Sequence, residues 1–417
     1  MLSFEKLSPV ILFGAFLIIY ILGSFSKIPF GDCIGFALLT EKGQFIDSTS
    51  TYAHFLYSNT LVLIKKIFPF IKSSEVARLV TILSAALCIP IVYKTSLLLT
   101  KNNLVSIISS IVFGFGFSFW KNTEIIEIYT FNLLFIALFF YYTLHALIND
   151  KEKLYIISSV ILGISLYSHI QNILIYPAFA VLVFIKSSSK TKFISLAILG
   201  TLFLSLFIFP LKNNEPLSVV YSSGVVSEKI TDTNILKSFI LSLGYLFYNF
   251  WYFIIFSIPG MMILFKRAKT IFFFLIGSAA PIFIFSTVFG VSDNYVYFIP
   301  FNFIIALFIS VGLNNIFSLK IKKLIALSSL MIPLFYFVTN KVLSKSEFTE
   351  SFAQSKSYKG GLRYYLLPWM NDNVGILEFT IDKKKSPDPM DWMTKCAEEY
   401  IELLKDKNYT DQEIKKL

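Results

Sequence analysis

Few ionisable residues interrupt the apolar stretches of this chain, and those that do recur at the ends of the apolar runs. Asp32 lies in "FGDCIGF", directly after the first run, and Gly31 before it permits a tight turn and close approach of a ligand. A carboxylate at such a depth is costly and marks a functional site by default. It suits the work of a general base toward a hydroxyl, and equally a helix cap or an interfacial position. Glu124 and Glu127 share "KNTEIIEIYT" at the mouth of a later run. Glu127 has the chemistry to orient a substrate or hold a cation, or to sit at a helix N-terminus favoured by the dipole. Asp293 precedes "NYVYFIPF", and His169 with Asn172 lies in "SHIQN". A lone histidine is more often a satisfied buried imidazole than a catalyst, and His54 is a second histidine able to face the same space. Only three arginines occur, Arg78, Arg267 and Arg363. A guanidinium grips phosphate through two parallel hydrogen bonds, so Arg78 and Arg363 are candidate phosphate ligands, with ordinary headgroup anchoring as the alternative. Lys121 is a further candidate.

These residues must be positioned by membrane-spanning elements. The 417 residues are 55% hydrophobic and 15% charged, too few charges for a soluble chain of this length. Apolar blocks near 8–25, 79–99, 104–119, 125–147, 154–168, 173–185, 193–210, 239–265, 271–289, 295–317 and 324–339 predict an all-α polytopic membrane protein of about 11 spans. The first run is read as a retained anchor. Short basic connections, "NDKEK", "KSSSKTK", "KRAK" and "KIKK", alternate with acid-bearing ones. Positive residues favour the cytoplasm, so the N-terminus is expected inside and the C-terminus outside. The charge of +11 then reflects topology, and no nucleic-acid partner is implied.

Residues 154–185 lie between two basic segments, which requires two crossings of only 13 to 15 residues each. That is roughly 20 Å of helix against a hydrocarbon core of about 30 Å. The polar "SHIQN" link should then sit below the outer surface. Such backbone needs protein or a wet cavity beside it. A cavity open to the outer face is therefore expected, with His169 and Asn172 near its floor.

Residues 26–76 form a long first outer loop, whose second half reads as a helix lying in the interface. Residues 1–340 read as the transmembrane part and 341–417 as a small soluble domain. In that tail "VGILEFTI" has β character and "DPMDWMTKCAEEYIELLKD" is an amphipathic helix, so an α/β tail is expected. Cys33, Cys88 and Cys396 form no paired motif, and no metal-ligand cluster is evident, although the outer acids have the chemistry for a divalent cation.

Five stretches in order resemble a family of membrane glycosyltransferases of the GT-C class, a bacterial group related to the eukaryotic ER protein O-mannosyltransferases. They are "GDCIGF", "AHFLYSNTLVLIKKIFP", "EIYTFNLLF", "GISLYSHIQNILIYP" and "DNYVYFIPFNFIIALFISVGL", spanning roughly the first 315 residues. The resemblance implies a GT-C-like bundle, a polyprenyl-phosphate-sugar donor, a protein or glycan acceptor, and inverting transfer of mannose or a similar hexose. It implies a bacterial inner-membrane location with an extracytoplasmic site. Asp32 becomes the acid/base, and His54, Glu127 and His169 become site residues. No cofactor is required. The sequence departs from the family at Gly35, where an acid is usual, and after His54, where prolines and a glycine are usual. A transporter or lipid-carrier flippase is the rival reading, expected to show inverted repeats; a noncatalytic envelope scaffold is a third.

Overall fold

The computed structural model describes residues 4–221, 228, 234–291, 293–316 and 318–417, and every regular element among them is helical. Seven helices are long and apolar enough to cross a membrane: Glu5–Gly23, Ser73–Thr100, Tyr129–Ile148, Ser189–Lys212, Ile235–Arg267, Lys269–Val288 and Asn294–Asn315. Two further pairs qualify only jointly, bent by 61° between Asn103–Gly114 and Phe117–Glu124, and by 48° between Leu319–Ser329 and Ile332–Leu343. Among the described residues seven helices, or nine with the bent pairs, have the length and composition of a full crossing, and Lys153–Ser165 and Ile170–Lys186 are shorter apolar helices at the two places where short crossings are expected.

The elements nearest the first outer loop are labelled α1 (Phe4–Gly23), α2 (Cys33–Lys42), α3 (Phe55–Ile67), α4 (Ser73–Thr100), α5 (Asn103–Gly114), α6 (Phe117–Glu124) and α7 (Tyr129–Ile148). α4 is the hub of this half, packing on α1, α5 and α7. In the other half Ile299–Ile316 is almost wholly buried, and it crosses Ser257–Arg267 with backbones in contact. A Cβ on Gly260 would lie 1.9 Å from the Phe308 carbonyl oxygen, and one on Gly312 would lie 2.0 Å from that of Phe256. Small residues at a helix crossing allow such an approach where lipid supplies no hydrophobic drive.

The expected loop helix is present as α3, and α2 is an additional element ahead of it. The tail contains no strand. "VGILEFTI" folds as the helix Ile376–Ile381, because it has no sheet edge to join and gains more by burying Ile376, Leu377 and Phe379. The amphipathic helix runs Asp391–Lys405. The tail builds its core jointly with the first outer loop: Phe30, Ile34, Ala37 and Leu38 share one cluster with Phe379, Ala397, Tyr400 and Ile401.

Replacing Gly260 by Leu should separate the two helices and destabilise the protein by about 3 kcal/mol or more, the upper range for overpacking. Thermal unfolding of the detergent-solubilised protein should show a clear drop in Tm, and an unchanged Tm would contradict the close crossing.

Candidate active site

The turn Phe30–Gly31–Asp32 brings the first acid to the largest described cavity, of about 750 Å³. Gly31 has φ +115°, a conformation that side-chain-bearing residues avoid. Asp32 then stands at the N-cap position of α2 but makes no side-chain cap hydrogen bond. Asp32 lines the cavity and is exposed.

Glu127, in the link between α6 and α7, is held beside this turn. The Cys33 thiol donates to its Oε1 over 3.9 Å, and a Cβ on Gly31 would meet the same oxygen at 3.8 Å. Asp293, at the start of the 3-10 turn Asn294–Phe298, lines the same cavity. Burial first, and then the Asp293 charge, raises the Asp32 carboxyl to about 6. Glu127 is pushed well above the ordinary carboxylate range by burial, then by Asp32 and Asp293. Asp293 is raised by burial. Asp32 and Asp293 are exposed and Glu127 is half-buried, and three acids lining one cavity raise the cost of ionising one another.

Positive charge faces the cavity from other elements. Lys121 on α6 is buried, donates to the Tyr364 carbonyl, and lies 4.2 Å from the Tyr364 ring centroid. Lys359 lies 5.2 Å from the centroids of Tyr364 and Tyr365 and 5.5 Å from that of Tyr358. Neither lysine forms an ion pair among the described residues, whereas Lys356 is paired to Asp388 at 2.6 Å. Burial lowers the Lys359 ammonium, and Lys356 adds to the effect. One wall carries Leu241, Gly244, Tyr245 and Tyr248. A Cβ on Gly244 would meet nothing within 4 Å, and Leu243 and Phe247 beside it are exposed on the outside of the bundle.

Other expected site residues lie elsewhere. His169 and Asn172 do not form the cavity floor. The Tyr129 ring lines the cavity, with the His169 ring 5.9 Å behind it. His169 Nδ1 accepts from the Gln171 N–H at 3.2 Å, and its ring lies 5.6 Å from that of His54. His54 caps α3 at φ 44° and borders a separate small recess beside Ser168. Asn172 is tied to Asn132, and donates to the Ser165 carbonyl at 3.0 Å. Arg78 is occupied by Ser24 at 2.7 Å and Glu75 at 2.8 Å, and Arg363 by Asp372 at 2.6 Å in an exposed pair away from the acids. Neither arginine lines the large cavity. Glu124 turns away from Glu127 and accepts from the Trp120 indole at 2.6 Å, packed on Gly23.

The residues that sequence reasoning missed come from the tail: Lys356, Tyr358, Lys359, Tyr364, Tyr365, Asp388 and Met393. The density of tyrosine, lysine and glycine in "SYKGGLRYYLL" was the available signal. Among the described residues, no group of three or more His, Cys, Asp and Glu side chains is arranged to hold a metal ion.

Residues 56–192, about a third of the chain, match the sequence model of a family described as the protein O-mannosyl-transferase TMEM260 N-terminal domain. No curated protein matches the chain significantly in sequence. Among solved structures, ArnT from Cupriavidus metallidurans bound to undecaprenyl phosphate is similar with a TM-score of 0.60 at 11% identity, over 95% of this chain and 75% of ArnT. The apo oligosaccharyltransferase of Archaeoglobus fulgidus gives 0.55 at 13% identity, over 95% of this chain and 60% of that one. The archaeal oligosaccharyltransferase AglB from the same organism, with an inhibitory peptide and a dolichol-phosphate, gives 0.54 at 13%, over 96% and 60%. At these identities the likeness is one of fold, a fold this chain shares with ArnT and the archaeal oligosaccharyltransferases.

Burial lowers the His54 ring to about 4, and burial with the His54 charge lowers His169 to about 3. Folding keeps both rings neutral, so their contribution to stability is complete above the unfolded value of about 6.5. It is lost as the pH falls from there toward 4, where the unfolded state binds the extra protons. Tm in detergent should drop over that window. His169→Asn, which retains an acceptor near the Nδ1 position, should flatten the drop; an equal slope in both proteins would contradict the assignment.

Proposed function

We propose that this chain, a membrane glycosyltransferase of the GT-C type, moves a sugar from a polyprenyl-phosphate carrier to an acceptor hydroxyl, on protein or glycan, at the outer face of the membrane. The observation that carries this reading is one cavity lined both by Asp32, Glu127 and Asp293 and by Lys121 and Lys359, neither of which forms an ion pair among the described residues. A base and an anion seat within one chamber are what displacement of a phosphate leaving group needs.

In the proposed step the acceptor oxygen attacks the anomeric carbon and its proton passes to the Asp32 carboxylate. The bond from that carbon to the phosphate oxygen breaks, and the electron pair leaves with the polyprenyl phosphate. Lys121 and Lys359 balance the charge that develops there. A carboxyl near 6 is a stronger base than an ordinary aspartate yet is mostly ionised at neutral pH, which suits general-base work. Glu127, beside the Asp32 turn, orients the hydroxyl. Undecaprenyl phosphate on ArnT and dolichol-phosphate on AglB support a prenyl-linked donor here. The peptide on AglB and the O-mannosyl-transferase match support a protein acceptor and mannose or a similar hexose. The charge alternation of the loops supports an extracytoplasmic site in a bacterial inner membrane. The open flank at Gly244 is the proposed side door for the prenyl chain.

Membranes carrying the protein should transfer label from a panel of radiolabelled polyprenyl-phosphate hexoses, mannose foremost. Asp32→Asn should reduce transfer by about 10²- to 10⁴-fold at normal expression; retained activity removes the proposed base. For the wild type, kcat/KM should rise through a carboxyl of about 6 as the pH increases, because only the deprotonated form accepts the proton. A limb near 4 would show an ordinary hydrated carboxylate.

Lys359→Ala and Gly244→Trp should each raise the KM for donor about tenfold or more, the first by loss of an anion contact and the second by filling the flank. An unchanged donor KM in both would rule out this seat and this door.

A further inference from the structure

Asp32 is gripped on both sides by two consecutive residues of the tail. Met393 Sδ accepts a hydrogen bond from the Gly31 N–H at 3.2 Å, immediately before the acid. One turn after the acid, a Cβ on Gly35 would meet the edge of the Trp392 ring at 3.1 Å, so the indole abuts a bare stretch of α2. An aromatic ring from the tail takes the room that a side chain at position 35 would fill. Trp392 is also the one large hydrophobic side chain left exposed among residues 357–417, all of which are described. The two contacts belong to a longer seam. Lys42 pairs with Glu399 at 2.6 Å, Lys407 pairs with Glu41, and Ser73 shares a hydrogen bond of 2.7 Å with Tyr400.

From this geometry we infer that Met393 and Trp392, in the first turn of the helix Asp391–Lys405, are positioning residues for Asp32, and that the tail is part of the active centre. The inference rests on the reading of Asp32 as the base. Gly31 is held at φ +115° with its N–H turned to the sulfur, and this fixes where α2 begins and hence where its first carboxylate points. The indole against Gly35 packs the next turn of α2 on the tail helix and so keeps α2 from rolling. The ionisable groups facing Asp32 are Glu127 and Asp293 across the cavity, Cys33 on α2, Tyr129 and Tyr297 from the bundle, and Cys396 from the tail helix. None of them moves if only the grip is loosened.

The test uses the full-length protein in membranes with radiolabelled polyprenyl-phosphate mannose. Met393→Leu keeps the volume and deletes the acceptor. It should lower kcat about 10- to 100-fold, as a misplaced catalytic group does, with the donor KM unchanged. Its acid limb should move below the wild-type position, because a loosened Asp32 is better hydrated. Met393→Gln, which restores an acceptor on a chain of similar length, should recover most of the rate. Gly35→Ala supplies the second variant: alanine is the better helix former, yet its Cβ displaces the indole and should move the limb in the same direction. Wild-type kcat and limb in both variants would overturn the inference, and so would a lower kcat with an unmoved limb. Should Asp32→Asn itself retain transfer, the reading of the base fails instead, and the two failures are distinguishable.

Discussion

The first outer loop is pinned through its backbone. Phe25 N–H donates to the Glu124 carbonyl at 3.1 Å, Met370 N–H to the Gly23 carbonyl at 2.8 Å, Ile376 N–H to the Ile28 carbonyl at 2.9 Å, and Ile28 N–H to the terminal Leu417 at 2.6 Å. A segment leaving a membrane helix cannot leave its polar backbone unpaired at that depth. Here the partners come from the bent helix pair and from the chain's far end. Asn373 completes the set by accepting from the Ser26 and Lys27 N–H groups at 3.0 and 3.1 Å. The start of α2 inherits its position from this seam, and the cavity inherits one wall.

The same seam explains why the tail has no core of its own. Its apolar residues close over Phe30, Ile34 and Leu38, and its ion pairs lie along the join. Exposed pairs of this kind contribute little stability individually, about 0 to 1 kcal/mol. The shared apolar cluster carries the attachment, and the charges set its register. In the membrane half the equivalent device is the glycine crossing at Gly260 and Gly312, where contact replaces hydrophobic drive.

Within the cavity, burial acts on both signs of charge. It raises the carboxyls of Asp32, Glu127 and Asp293 and lowers the ammonium of Lys359, so the charged form of each is costlier here than in water. Aromatic rings around Lys121 and Lys359 stabilise the cations without neutralising them.

The sequence by itself determined the membrane character, most of the apolar helices, the loop helix α3, the tail helix and the acids worth watching. Apolar length and charge alternation are local properties that persist in any fold. Asp32, Glu127, Asp293 and Lys121 were all legible as candidates, since an ionisable group beside a membrane run is conspicuous wherever it points. What the sequence left open was which of them meet. His169 lies beside the Tyr129 ring and Asn172 is tied to Asn132, and neither lines the cavity; Arg78 and Arg363 had the right charge, but acids and a hydroxyl already hold them. Lys359, Met393 and Trp392 lie more than three hundred residues from Asp32, and "VGILEFTI" turned helical because its neighbours offered a groove rather than a strand. Convergence, occupancy by partners and the wall of the cavity depend on contacts between distant segments, and only tertiary packing decides those.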